Sequence, residues 1–443
     1  MLIKHNTNQC KDGYLNRTPY FQFILLSCLF PLWGAAASLN DILITQFKSI
    51  FALSNFASAL VQSAFYGGYF LIAIPASLVI KKTSYKATIL AGLIVYTIGC
   101  TLFFPASTMA TYTMFLAAIF SIAIGLSFLE TSVNTYSSMI GESSKSTLRL
   151  NISQTFYPVG AVAGILLGKY LVFQDGASLE DQMALMTAEQ LHVFKLEMLQ
   201  HTLKPYKYLI YILIFVTCLF AITSFPKCKA STTTKQTDIL ETLRYLSTNQ
   251  RFKKGIVTQW FYVGMQVAVW SFTIRLALEL GDLNERTASN YLIYSFAAFF
   301  IGKFIANILI TKYSQEKVLI SYSVLGMLSL TYVSLEPNFS AVWMAIVTSL
   351  LFGPCWATIY TSTLQTVERK YTETAGAVIV MAIVGAAVIP AIQGLVADKF
   401  GLQLSFFIDL ICFTVVAYYF AAEQKIKASM SSQAVVSKNE LNS

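Results

Sequence analysis

Apolar runs of about 20 residues recur along this chain from residue 20 to residue 422, and nothing in the sequence constrains its fold more. Wound as a helix at about 1.5 Å per residue, such a run matches the hydrocarbon thickness of a bilayer. A water-soluble chain of 443 residues would divide into two or three domains with polar surfaces. Here only 12% of residues are charged, about half the usual share, and the mean hydropathy is +0.60. The runs predict twelve spans, over 20–44, 55–80, 86–106, 110–139, 150–173, 207–225, 254–280, 288–311, 316–335, 339–363, 374–396 and 401–422. The fold class is all-α integral membrane. The runs are solid, which excludes a membrane barrel built from short alternating segments. The N-terminal stretch is polar and lacks a cleavage site ahead of a soluble chain, so the first run reads as a span and not as a removable signal.

The basic residues orient the spans. With the N-terminus inside, the inner segments hold about 22 of the 31 Lys and Arg, against about 8 outside. The inner set includes Lys81, Lys82, Lys145, Arg149, Arg251, Lys312, Lys317, Arg369, Lys425 and Lys427. Both termini are therefore expected in the cytoplasm of a cell-membrane protein. The net charge of +9 serves this bias; no basic cluster interleaved with aromatics points to nucleic acid. Seven cysteines show no CxxC spacing and no Cys/His cluster, so no metal site is expected.

A long inner segment at 226–253 splits the spans six and six. The expected organisation is a tail at 1–19, a six-helix bundle at 20–225, the inner loop at 226–253, a second bundle at 254–423 and a tail at 424–443. VIKKTSYK (79–86) and LITKYSQEK (309–317) are short basic turns in equivalent places of the two halves. Duplicated halves with a pathway between them are the plan of alternating-access transporters.

Ionisable residues at membrane depth are expensive and mark function by default. Four stand out: Asp41 in SLNDILI, Glu130 in GLSFLETSVNTY, Lys303 in FFIGKFIAN and Asp409 in SFFIDLICF. Lys303 reads as a residue that snorkels or braces the inner turn. Asp409 reads as locally paired or facing a polar interior. Asp41 lies towards an interface. Glu130 has no nearby span end, and its face turns polar towards Asn134. His5, His192 and His201 all lie in polar segments, so carboxylates would have to carry any transported proton. A carboxyl withdrawn from water favours its neutral form, because the charged form loses solvation. Asp41 and Glu130 are the candidate proton carriers; the proton is the coupling ion, and no cofactor is implied.

The spans also hold amides (Asn134, Asn151, Gln154, Gln266 and, near a span end, Gln365) and tryptophans (Trp33, Trp270 and Trp356 are the deepest). Amides and carboxylates bind hydroxyls with a fixed donor and acceptor pattern. Aromatic faces suit the C–H face of a sugar ring. The same residues also serve as helix bridges and interfacial belts, so packing competes with binding for each one.

FPLWG…SLNDILITQF (30–47), LVQSAFYGGYFLIAIPASLVIKKTSYKA (60–87), LETSVNTY (129–136), LRLNISQTF (148–156), QWFYVGMQVAVWSFTIR (259–275) and FFIGKFIANILI (299–310) occur in order and cover both halves. In these motifs the sequence resembles the fucose permease branch of the major facilitator superfamily, the L-fucose:proton symporters. The resemblance implies the major facilitator fold. It also implies that Asp41 and Glu130 form the proton and sugar pathway, that Trp33, Asn151 and Gln154 line the sugar cavity from the first half, and that Gln266 and Trp270 line it from the second. Glucose/galactose relatives tend to carry glutamine where Glu130 stands. The chain departs from the fucose permease pattern at Ser38 and Tyr157, where that family has asparagine, and at Trp356, where it has tyrosine. With Asn40 and Asn134, these complete the candidate sugar contacts.

The function expected is proton-coupled import of a monosaccharide, L-fucose first, by a monomer in the bilayer. The alternatives are another neutral sugar (galactose, glucose or N-acetylglucosamine) or a drug/proton exporter. A membrane enzyme is disfavoured, since no nucleophile–base constellation is visible.

Overall fold

A computed structural model of the chain describes residues 8–10, 13–51, 55–109, 111–172, 183, 186–228, 238–281, 283 and 285–441; its helical side chains are described except at 41–49, 55–63, 285, 286, 289 and 430–441. Among the described residues, twelve helices are long and apolar enough to cross a membrane. In order they are Tyr20–Asn40, Ala64–Lys82, Tyr85–Met109, Tyr112–Met139, Ser143–Leu171, Ala188–Ile222, Gln250–Gly281, Asn290–Lys312, Gln315–Leu335, Ser340–Leu364, Arg369–Phe400 and Leu402–Ser429. Helices are what a bilayer permits here, because each closes its backbone hydrogen bonds within itself. Exposed Leu71, Phe215, Leu328, Leu395 and Ile411 give the bundle the apolar exterior that lipid requires.

The packing repeats with a shift of six spans. The first span packs on the fifth, the second on the fourth, the third on the fourth and sixth. Correspondingly, the seventh packs on the eleventh, the eighth on the tenth, the ninth on the tenth and twelfth. The halves then meet along the second and eleventh spans and along the fifth and eighth. Backbones approach closely where glycine allows it: a Cβ at Gly160 would overlap the Pro31 carbonyl oxygen.

Three spans are broken at mid-depth. The fifth interrupts at Thr155–Phe156 before Tyr157 and Pro158. The tenth breaks at Phe352, Gly353 and Pro354, and the eleventh tightens into a 3₁₀ turn at Ala382–Val384. Proline cannot donate the helical hydrogen bond and restarts a helix cheaply in its first turn.

Several boundaries differ from the sequence reading, the sixth span's most of all. The helix of the sixth span begins at Ala188, well ahead of the apolar run at 207–225, because a capping box at Thr187 and Gln190 starts a single 35-residue helix through the polar stretch. The helix of the first span continues to Ile50. On the side carrying the termini, the segment after the sixth span is pinned to the first half: Gln22 Nε2 donates to Ser224 O at 3.0 Å and Tyr136 Oη to Pro226 O at 2.6 Å. The helix Ile239–Thr248 then docks on the second half, where Tyr245 stacks on Tyr371 at 4.3 Å. Arg251–Glu423 and Lys427–Glu316 ion pairs, both 2.5 Å, tie the last span to the seventh and ninth.

Candidate functional site

The three breaks converge on one cavity between the halves. Its first-half lining includes Trp33, Tyr66, Tyr69, Glu130, Gln154 and Tyr157, and its second-half lining Gln266, Trp270, Phe299, Lys303, Trp356 and Ile383. Gln154 and Tyr157 flank the break in the fifth span. Trp356 follows Pro354, and Ile383 lies within the 3₁₀ turn of the eleventh. The breaks thus re-aim side chains that a straight helix would carry past the cavity.

Glu130 is 4% exposed. The Trp33 indole N–H faces its carboxylate, and Trp33 is held flat by stacking on Phe30 at 4.8 Å. No ion pair to Glu130 forms among the described residues. Among the described residues, a carboxylate with room for about four donors therefore has the Trp33 N–H beside it and no ion pair. Such a group is poised to exchange a proton, and not to serve as half of a fixed pair.

Gln154 is positioned by Asn134, one helical turn from Glu130: Gln154 Nε2 donates to Asn134 Oδ1 at 3.0 Å. Trp270 stands edge-on to Phe299 at 5.2 Å and to Phe352 at 5.7 Å, so its ring has a fixed orientation. Trp356 stacks on Tyr360 at 5.0 Å.

Six of the expected sugar contacts share the cavity: Trp33, Gln154, Tyr157, Gln266, Trp270 and Trp356. Four do not line it. Ser38 packs on the fifth span near Gly164. Asn40 faces a separate small gap inside the first half, beside Phe65, Phe103 and Tyr206. Asn134 stands behind Gln154, and Asn151 belongs to a seam between the halves. Asp41 lies on the helix Leu29–Ile50, with its side chain outside the described residues. Asp409 is fully buried beside Gln393, between the eleventh and twelfth spans and away from the cavity.

The seam lies between the cavity and the side carrying the termini. Thr135 Oγ1 and Tyr360 Oη share a hydrogen bond of 2.7 Å, and Thr147 and Thr361 one of 2.9 Å. Asn151 Nδ2 donates to Thr358 Oγ1 at 3.1 Å, and Gln365 Nε2 to Ser146 Oγ at 2.9 Å. All four cross from one half to the other. Neutral hydrogen bonds contribute only about 1 kcal/mol each, so the seam holds the halves together without locking them.

Two groups of lining residues escape the sequence reading. Tyr66 and Tyr69 left no signal beyond being aromatics in an apolar run. Lys303 has one, since it lies far from either end of its run, yet it reads there as a residue that snorkels or braces the inner turn. In the structure it is 1% exposed and lines the cavity.

The Major Facilitator Superfamily model matches residues 23–379. The L-fucose-proton symporter of Escherichia coli (strain K12) is 34% identical over 411 residues, covering 92% of this chain and 94% of that protein. A glucose/galactose transporter of Brucella abortus is 29% identical, over 90% of this chain and 93% of its own length. Among solved structures, the E. coli fucose:proton symporter superposes with a TM-score of 0.82 at 33% identity, covering 91% of this chain and 99% of that one. The human organic anion transporter MFSD10 superposes at 0.62 with 11% identity, a likeness of fold alone.

Proposed function

The chain belongs to the major facilitator superfamily, and from that premise we propose that it is a proton-coupled importer of a monosaccharide, L-fucose first. The observation that carries this reading is the cavity itself. It places one carboxylate, in no ion pair among the described residues, with glutamines, tyrosines, tryptophans and a lysine, between two halves joined by breakable bonds. Amides bind hydroxyls, indole faces bind a ring's apolar face, and the carboxylate carries the proton. The E. coli relative is named an L-fucose-proton symporter, and the more distant Brucella one a glucose/galactose transporter. Glu130 favours the first, since by the resemblance glucose/galactose relatives tend to carry glutamine there.

Transport follows from the geometry by alternating access. The seam at Thr135, Thr147, Asn151 and Ser146 closes the side carrying the termini while sugar and proton enter from the other. Proton transfer to Glu130 removes its charge, and the loaded carrier then reorients without moving a bare charge through the barrier. The seam opens, a matching closure forms on the far side, and the ligands leave. The carrier acts as a monomer, each chain holding its own cavity.

A competition panel tests the substrate. Purified protein in liposomes takes up labelled L-fucose while unlabelled L-fucose, galactose, glucose and N-acetylglucosamine compete. L-fucose should compete best; stronger competition by glucose or galactose would transfer the assignment to those sugars.

Two further outcomes are expected. Gln154→Ala and Trp270→Ala face the sugar from opposite halves, and each leaves sugar groups unpaired or unstacked. Each should weaken binding by about 1–3 kcal/mol without loss of fold. Calorimetry showing wild-type affinity in both variants would remove this cavity as the sugar site. The basic bias places both termini in the cytoplasm. A single cysteine at Ser443, in a chain freed of its seven native cysteines, should resist impermeant thiol reagents until cells are permeabilised. Labelling in intact cells would invert the topology.

A further inference from the structure

Lys303 lies in the eighth span, nine residues before its end at Lys312. That is about 14 Å along a helix, further than a lysine side chain reaches, so snorkelling to that surface is closed to it. Rotation away from the cavity is closed as well. Its neighbour Gly302 packs so tightly on the tenth span that a Cβ would overlap the Leu350 carbonyl, and a Cβ at Gly353 would stand 2.9 Å from the Lys303 backbone nitrogen. The eighth span is thereby pressed onto the break in the tenth, and Lys303 is held towards the cavity.

Its Nζ lies 4.7 Å from the Phe299 ring centroid, and among the described residues it has no hydrogen-bond acceptor. Trp270 stands edge-on to the same ring, and its Nε1 likewise lacks an acceptor. Of the side-chain polar atoms that line the cavity and are buried without a partner, these two stand out: both are donors, and both come from the second half. The first half is arranged in the opposite sense. Glu130 is an acceptor, and the donor end of Gln154 is already committed to Asn134. A buried donor without an acceptor is costly, so such pairs persist where something else supplies the oxygen.

We propose that Lys303 is a substrate-binding residue: its Nζ, beside Trp270 Nε1, donates to an oxygen of the transported sugar and fixes which face of the ring meets the second half. This rests on the sugar-transporter reading above. The ligand chemistry is a ring or hydroxyl oxygen acting as acceptor, with the sugar's own hydroxyl donors turned towards Glu130 in the first half.

The test is calorimetric binding of L-fucose and its monodeoxy analogues to the wild type, K303M and K303Q. Methionine keeps the unbranched stem packed on Phe299 and removes the donors; glutamine keeps a shorter donor. K303M should bind L-fucose at least tenfold more weakly at an unchanged melting temperature. One analogue that the wild type binds at least tenfold more weakly than L-fucose should lose that disadvantage in K303M, because the partner of the missing oxygen is gone. If K303M does not fold, the same comparison on K303Q should show that disadvantage reduced. K303M binding within twofold of wild type overturns the proposal, as do variants in which every analogue keeps its wild-type disadvantage. A wild type that binds none of these sugars instead counts against the transporter's substrate assignment and not against Lys303 alone.

Discussion

Glu130→Gln should abolish sugar accumulation driven by a pH gradient while sparing sugar-for-sugar counterflow. Glutamine keeps the size of the side chain and can still meet the Trp33 N–H through its amide oxygen. It holds a permanently neutral state and cannot release a proton. Counterflow needs only the loaded carrier to reorient in both directions, and no proton need leave. Net accumulation needs the empty carrier to return deprotonated. The two assays, run on one preparation of liposomes with an alkaline interior, therefore separate coupling from binding. Retained accumulation by Glu130→Gln with pH as the only driving force would strip Glu130 of the coupling role. Its burial against Trp33 would then be a structural bridge. The same change at Asp41 should also impair uptake, as the resemblance to fucose permeases implies.

The second large effect is on folding. Gly160→Val should yield no monodisperse protein, because its Cβ would occupy the position of the Pro31 carbonyl. Neither partner is a flexible side chain that can move aside. The first and fifth spans would have to separate, carrying Trp33 away from Gln154 and Tyr157. Overpacking of an ordinary core costs about 1–3 kcal/mol, and a clash with backbone exceeds the usual case. Gly67→Ala is the control, since nothing among the described residues lies within 4 Å of its Cβ position. Size-exclusion profiles and melting curves compare the two; a Gly160→Val profile matching that of Gly67→Ala would refute the close crossing.

The span count was legible because bilayer thickness sets a length that composition alone satisfies. Glu130 was legible for the same reason: a charge without an exit stands out in an apolar run. Ser38, Asn40, Asn134 and Asn151 show the limit of that reading. Polar residues on one helix face different neighbours at each 100° step, and only packing tells a ligand from the residue that holds it. Asn134 is the clearest case, since its amide positions Gln154 and does not reach the cavity. Lys303 does not snorkel, because snorkelling depends on depth and on which face is free, and the tenth span's break at Gly353 holds that face. The polar stretch before residue 207, readable as a possible helix, is helical for a different reason: the capping box at Thr187 and the apolar span beyond carry it, not its own hydrophobicity.

Coupling of proton to sugar is the central claim, and sugar-induced proton movement tests it most directly. Wild-type liposomes are held without any pH gradient or membrane potential, in weakly buffered medium, and L-fucose is added outside. The external medium should turn alkaline as sugar and proton enter together, and the change should vanish with a protonophore or in Glu130→Gln. Entry of labelled L-fucose with no change in external pH would contradict the account and make the protein a uniporter.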